Sequence, residues 1–231
     1  MLHKTRGIVL NYLKYRETSI IGRIYTDAFG VQSYLVNGVR SSKAKLNRIA
    51  LFQPLTLVDM VVYHKPGHDL LQRISEIRNS YPFTRLPFDM VRTSVALFMA
   101  ELLGKCLKEE EPNEPLFRFL EESVMLLDQT EQGLESFHLV FMFHLAAYLG
   151  FGIESAQQFG DVLREFRYSF PESNQSQAAL ASVVAGDFDG MKAAGRSSRN
   201  ALLTELLFYF RCHMDNFGEF RSLDVLKTVL R

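Results

Sequence analysis

The sequence predicts an α+β protein, with a small closed β-barrel of five strands at the amino-terminal end followed by an all-α helical region. Five short runs rich in β-branched and aromatic residues fall within the first 80 residues, separated by turn residues and with no long helical periodicity between them. From about residue 91 the apolar residues recur at spacings of three and four, the pattern of helices that bury one face. The charge divides at the same place. Residues 1–80 hold 12 Lys or Arg against 5 Asp or Glu, a surplus of +7, and the rest of the chain carries the balancing −7 within a formal net charge of 0.

A chain of 231 residues, 47% hydrophobic, has ample material for a core, and the shift in pattern divides it into two modest domains, 1–80 and 81–231. Only the first has the charge of a polyanion binder. Two cysteines, Cys106 and Cys212, make neither a disulfide framework nor a metal-ligand pair, which fits a reducing cytoplasm. The amino-terminal residues lack the apolar core of a signal peptide. The most apolar helical run, Phe137 to Leu149, includes His138 and His144 and is well short of the roughly 20 residues that cross a bilayer, so it reads as a buried core helix and no membrane is expected.

The first strand is Gly7 to Leu13, broken by Arg16-Glu17-Thr18. Ser19 to Thr26 is the second, and the turn Asp27-Ala28-Phe29-Gly30 returns the chain as a hairpin into the third, Val31 to Val36. Leu55 to Tyr63 is the fourth; after the tight turn Lys65-Pro66-Gly67-His68, Leu70 to Arg78 is the fifth. Five short strands with no helix to cover an edge favour closure, and the oligonucleotide-binding (OB) barrel fits the count. That fold pairs a positive groove with aromatic platforms for bases. Tyr12, Tyr15, Tyr25, Phe29, Tyr34 and Tyr63 are the aromatics on hand; most are needed to fill the barrel, one or two are expected to face solvent, and Tyr34 is taken as a base-stacking residue. Strand alternation alone does not say which side is inward.

Between the third and fourth strands lies Asn37 to Arg48, where Arg40, Lys43, Lys45 and Arg48 place four cations in nine residues with no acid, accompanied by Ser41, Ser42 and Asn47. A loop of this composition suits a phosphate backbone. Arg6 or Arg23 from the strands is expected to join it in neutralising a single strand along the barrel while the bases stay partly free.

In the helical region Pro82 and Pro87 mark the exit from the barrel, and Val91, Val95, Phe98, Leu102 and Cys106 form one helical face, ended by Glu109-Glu110-Glu111-Pro112. Pro115 opens a second helix with the stripe Leu116, Leu120, Val124 and Leu127. Leu134 to Leu149 is expected to be the central helix, closed by Gly150 and Gly152. The stretch 161–175 reads as irregular or short-stranded, with a short helix at Gln177 to Val184; Ser197 or Ser198 caps a helix carrying Leu202, Leu203, Leu206, Leu207 and Phe210; a last helix begins near Ser222.

No GxSxG elbow, Walker loop or GxGxxG fingerprint occurs, so a nucleophile elbow, ATP use and a dinucleotide cofactor are not expected. His64 and His68 straddle Lys65-Pro66-Gly67 and read as loop residues, not as a metal pair; Asp187 and Asp189 before Gly190 read as a helix-capping turn, not as paired acid and base.

Arg16-Glu17-Thr18-Ser19, Thr26-Asp27-Ala28-Phe29-Gly30, Asn37-Gly38-Val39-Arg40-Ser41-Ser42-Lys43 and Leu51-Phe52-Gln53-Pro54-Leu55 stand in an order and spacing that resembles the bacterial recombination-mediator family RecO. Cys212-His213-Met214-Asp215-Asn216-Phe217, followed by Arg221-Ser222-Leu223-Asp224-Val225-Leu226, is similar to the family's final helices. The resemblance implies an OB domain followed by a helical domain, in a non-catalytic protein of DNA repair and homologous recombination acting in the RecF pathway, cytoplasmic and associated with the nucleoid. It implies binding of single- and double-stranded DNA, strand annealing and, with RecR, loading of RecA onto DNA coated by single-stranded DNA-binding protein. It also implies a groove in the helical region for the C-terminal tail of that coating protein, for which Arg118, Arg164, Arg167 and Arg211 are the available cations. In many relatives the segment at about 152–190 looks like a four-cysteine zinc module. Here it has no cysteine, so neither metal nor cofactor is expected, and Phe159, Phe166, Tyr168 and Phe170 are expected to pack in the place of zinc. The alternatives are an OB-fold adapter that binds proteins without touching DNA directly, and an enzyme whose site is assembled from scattered residues.

Overall fold

The computed structural model of the chain describes residues 1–39, 48–65, 71–108, 111–166 and 175–230. Five strands, β1 (Leu2–Tyr15), β2 (Ser19–Thr26), β3 (Gly30–Val36), β4 (Leu57–Tyr63) and β5 (Gln72–Asn79), close into a barrel in the order β1-β2-β3-β5-β4. Neighbours are antiparallel apart from β3 and β5, which run parallel at Tyr34↔Gln72 and Leu35↔Arg73. Closure depends on the length of β1. Its first half pairs with β4, from Leu2↔Tyr63 to Ile8↔Leu57, and its second half continues along β2 to Tyr15↔Ser19. A register shift between Val9 and Asn11 accommodates the bend, as an extra residue in one strand increases its local twist.

The turn into β3 forms as its residues require. Gly30 has a φ of 59°, and the Thr26 hydroxyl accepts from the Phe29 N–H at 3.0 Å while donating to the Gly30 carbonyl at 2.9 Å. Ahead of β4 a short 3-10 helix, Arg48–Phe52, drives the fully buried Phe52 into the barrel among Val9, Ile20, Ile24, Tyr34, Val36, Val58, Met60 and Val62. Gly22 makes room for that ring, since a Cβ there would lie 3.1 Å from Phe52 Cδ1.

Eight helices follow in the described residues: α1 (Met90–Cys106), α2 (Glu114–Gln129), α3 (Leu134–Tyr148), α4 (Ala156–Glu165), α5 (Gln175–Ala185), α6 (Phe188–Ala193), α7 (Gly195–His213) and α8 (Leu223–Val229). By packing, the chain forms two compact units, one of residues 1–86 with 99–128, the other of 87–98 with 129–231. In the first unit, the C-terminal part of α1 and most of α2 therefore accompany the barrel. The predicted stripe of α2 is buried at Leu116, Leu120, Val124 and Leu127, and the Asn113 side chain accepts from the Leu116 N–H at 3.1 Å, so the cap lies one residue ahead of the helix. Asp128, fully buried near the end of α2, accepts five hydrogen bonds, from the Tyr81 and Thr84 hydroxyls and the N–H groups of Thr84, Arg85 and Leu86, and so holds the chain as it leaves β5.

In the second unit α7 is packed by α3, α4, α5 and α6, so α7 takes the central place that the hydrophobicity of residues 134–149 predicts for α3. Its Leu202, Leu203, Leu206, Tyr209 and Phe210 are buried, and the Tyr209 hydroxyl donates to the Phe151 carbonyl at 3.0 Å. Part of the stretch read as irregular is helical: α4 is capped by Ser155, which accepts from Gln158 N, and it buries Phe159 and Leu163 one turn apart. Two inward residues in ten are too few to register as a period. Phe159 packs as expected at 1% exposure and Phe166 does not, at 49%; Tyr168 and Phe170 lie outside the described residues. Asp187 caps α6 by accepting from Gly190 N at 2.9 Å.

Candidate nucleic-acid interface

Of the basic loop, Arg40, Lys43 and Lys45 lie outside the described residues. Arg48 opens the 3-10 helix with its side chain exposed, and no carboxylate among the described residues pairs with it. The segment leaves β3 beside the β1–β2 turn, because the Ser19 hydroxyl donates to Asn37 Oδ1 at 3.0 Å. Two exposed cations, Lys14 near the end of β1 and Arg16 of that turn, therefore stand by the entry to the loop. Arg16 takes a φ of 51° and lays its guanidinium 5.2 Å from the centroid of the Tyr15 ring.

The two strand arginines face other tasks. Arg6 donates from Nε to Asp27 at 3.0 Å and from Nη1 to Glu121 at 2.8 Å, with its guanidinium 4.9 Å from the centroid of Phe117. Burial lowers its pKa, but the hydrogen bond to Asp27 and the charges of Glu121 and Asp27 outweigh that and leave it raised. Its charge is balanced within the unit, tying β1 to the β2–β3 turn and to α2. Arg23 donates from Nη1 to the Gly104 carbonyl at 2.9 Å and from Nη2 to the Leu107 carbonyl at 2.7 Å, so it satisfies the C-terminal end of α1; burial lowers its pKa.

Tyr34 corrects the stacking expectation. It faces inward from β3, is 0% exposed, and its hydroxyl has no hydrogen-bond partner among the described residues. The ring fills the barrel and offers no face to a base, and burial raises its phenol pKa. Tyr63, on the outer side of β4, is 48% exposed. Arg73 of β5 stands directly opposite it and is exposed, as are Lys4 and Lys65. No local pattern marks this group, because the register of β4 on β5 decides which residues share a row.

In the helical region three of the cations considered for an acidic tail already have carboxylate neighbours: Arg118 with Glu114 at 2.8 Å, Arg211 with Glu219 at 3.2 Å, and Arg164 with Asp161. Arg167 lies outside the described residues. His64 stacks on Phe29 with centroids 3.9 Å apart, while His68 is outside the described residues. His138 is buried with its ring edge-on to Phe98, and burial lowers its pKa to about 3, with the charge of Arg199 acting in the same direction. Among the described residues no group of three or more His, Cys, Asp or Glu is placed to share a metal ion, and no helix is long and apolar enough to cross a membrane.

Two family models match the chain in succession, the recombination protein O N-terminal model over residues 1–83 and the recombination protein O C-terminal model over residues 87–216. The DNA repair protein RecO of Bacteroides fragilis is 35% identical over 244 residues, covering 99% of both chains. The proteins of that name from Phocaeicola vulgatus and Christiangramia forsetii are 35% and 31% identical, each again over 99% of both chains.

Proposed function

The chain belongs to the recombination protein O (RecO) family, a family of DNA repair proteins, and from that premise we propose that it is a non-catalytic mediator that binds single-stranded DNA and promotes annealing. With RecR it would help to load RecA onto DNA coated by single-stranded DNA-binding protein, whose C-terminal tail it would engage through the helical region; double-stranded DNA is a further ligand. The observation that carries the reading is the coincidence of fold and charge. The five strands that close into a barrel are the part of the chain with the +7 surplus, and the balancing negative charge lies in the rest.

The mechanism is electrostatic. Cations of the loop, Arg40, Lys43, Lys45 and Arg48, neutralise phosphates of one strand and displace its counterions, which lowers the repulsion that a complementary strand meets. Bases whose Watson–Crick edges stay free can then pair. Arg6 and Arg23 are left out of this set because their guanidinium groups are engaged within the unit.

The test is binding and annealing of an oligodeoxythymidylate and of complementary strands across a salt range, with and without the four loop cations replaced by Ala. Removing one cation that neutralises a phosphate lowers the magnitude of the log–log salt slope by roughly 0.7 for single strands, so the quadruple variant should flatten it by up to about 3. A parent chain that binds no single strand at low salt refutes the reading. A folded variant with the parent's slope moves the DNA path off the loop.

A further inference from the structure

Asn37 and Gly38 form the one Asn-Gly pair in the chain. In such a pair the peptide nitrogen of the glycine can attack the side-chain carbonyl of the asparagine, because no side chain on the glycine shields that nitrogen. Folded proteins suppress the reaction where a regular element holds the backbone and the glycine N–H is hydrogen-bonded. Neither restraint is present at Gly38. The ladder between β2 and β3 ends at Ile20↔Val36, one residue before Asn37. Among the described residues no hydrogen bond engages the Gly38 N–H, and a Cβ on Gly38 would meet nothing within 4 Å. Asn37 itself is exposed.

The carbonyl under attack is polarised as well. The Ser19 hydroxyl, in a residue only 6% exposed, donates to Asn37 Oδ1 at 3.0 Å, and Oδ1 is the atom that takes on negative charge as the nitrogen adds. A donor placed on a developing oxyanion favours the attack. Lys14 and Arg16 stand exposed near Ser19 in sequence, and Arg40 follows two residues after Gly38, with Glu17 opposing them. A surplus of positive charge helps the glycine nitrogen to give up its proton.

We propose that Asn37-Gly38 is a site of spontaneous covalent modification that replaces a neutral amide by a carboxylate at the entry to the basic loop. The Gly38 nitrogen loses its proton and bonds to Cγ of Asn37. The bond from Cγ to the side-chain nitrogen breaks, and that nitrogen leaves with the proton as ammonia. Water then opens the five-membered imide. Addition at Cγ gives aspartate, whereas addition at the backbone carbonyl gives isoaspartate, with the chain now running through the side chain. One water is consumed, one ammonia is released, and nothing is oxidised or reduced.

Either product takes residues 37–48 from a formal +4 to +3. Isoaspartate also lengthens the backbone by one carbon between the end of β3 and Val39, which is 3% exposed and seated in the barrel core. The added length has to be absorbed at the root of the loop. The effect on DNA rests on the single-strand binding proposed above, and the reaction does not. A carboxylate at the entry offsets one loop cation, so strand binding weakens as the chain ages.

The experiment incubates the full chain in mildly alkaline buffer and samples it over days. Peptide mass spectrometry and methyl transfer by a protein isoaspartyl methyltransferase should both place the change at residue 37, at a rate that rises with pH. Asn37→Gln, which would need a six-membered ring, should abolish it with the melting temperature unchanged. Ser19→Ala should slow it several-fold; an unchanged or faster rate removes Ser19 from the site. Asn37→Asp should lower the magnitude of the log–log salt slope for an oligodeoxythymidylate by roughly 0.7, as the loss of one cation would. A parent chain whose residue 37 keeps its amide, or an Asn37→Gln chain labelled like the parent, overturns the proposal. If residue 37 is converted but the aged chain and Asn37→Asp bind the strand with the parent's slope, the effect on binding is refuted and the modification stands. If the fresh parent binds no strand, the proposed function falls, while the mass and methyl readouts still decide the modification.

Discussion

Replacing His138 by Leu should remove much of the helical unit's sensitivity to mild acid. The side chain is 3% exposed with Nδ1 unpartnered among the described residues, and burial pulls its pKa from 6.5 to about 3. The folded value is the depressed one, so the stability tied to the neutral ring is complete above the unfolded value and is lost as pH falls toward the folded value. Between pH 7 and pH 5 the unfolded chain takes up a proton that the folded chain refuses, which costs about 2 kcal/mol, and any folded value below about 4 gives nearly the same loss over that interval. Leu has a similar volume and brings no unpaired nitrogen, so the variant should be as stable as the parent at pH 7 or more so. Urea unfolding at pH 7 and pH 5, followed by near-UV signals from the aromatics, measures the difference. The other five histidines are the same in both proteins and cancel in the comparison. A variant that loses as much stability between the two pH values as the parent would show that His138 is not held neutral, and the reasoning fails.

Asp128→Ala should destabilise the barrel-bearing unit by about 3 kcal/mol or more, because it strands the N–H groups of Thr84, Arg85 and Leu86, and chemical denaturation reads it directly. Burial raises the pKa of that carboxyl, the backbone hydrogen bonds lower it further than burial raises it, and the net value is below the ordinary one. Its contribution is therefore present above about pH 4 and is lost only as pH falls through the depressed folded value. Tyr34→Phe removes a buried hydroxyl without a partner among the described residues, so stability should hold or rise by about 1 kcal/mol while strand binding stays at the parent level; weakened binding would restore a role for that hydroxyl. Glu205, buried in α7 and accepting from the Ser176 hydroxyl at 2.9 Å, has its pKa raised by burial, so Glu205→Gln should stabilise the fold at pH 7 and cease to do so near pH 4, where the parent carboxyl holds its proton. Unfolding curves at the two pH values test it.

Secondary structure in the barrel is legible in the sequence because it is local. β-branched runs, the Asp27–Gly30 turn and period-2 alternation specify β2 to β5 within about two residues of their observed ends but only the Gly7–Leu13 half of β1, which begins at Leu2, and the stripes of α1 and α2 appear at the spacings expected. The charge division and the motifs around Arg16, Asp27, Asn37 and Phe52 likewise need no coordinates. Tertiary structure decided what each charge and ring faces. The partners of Arg6 and Arg23 include Glu121, Gly104 and Leu107, between 81 and 115 residues away, a separation that no local pattern bridges. Which tyrosine faces out depends on which side of each strand the closed barrel makes its inside, so the alternation leaves Tyr34 and Tyr63 equally eligible for the surface, and the barrel buries the first and exposes the second. The register shift at Val9 and Asn11 resets the alternation along β1, and the parallel pairing of β3 with β5 brings Leu35 beside Arg73. Those two features are consequences of closing five short strands on themselves. In the sequence Leu35 and Arg73 stand 38 residues apart, and the parallel pairing that closes the barrel sets them side by side.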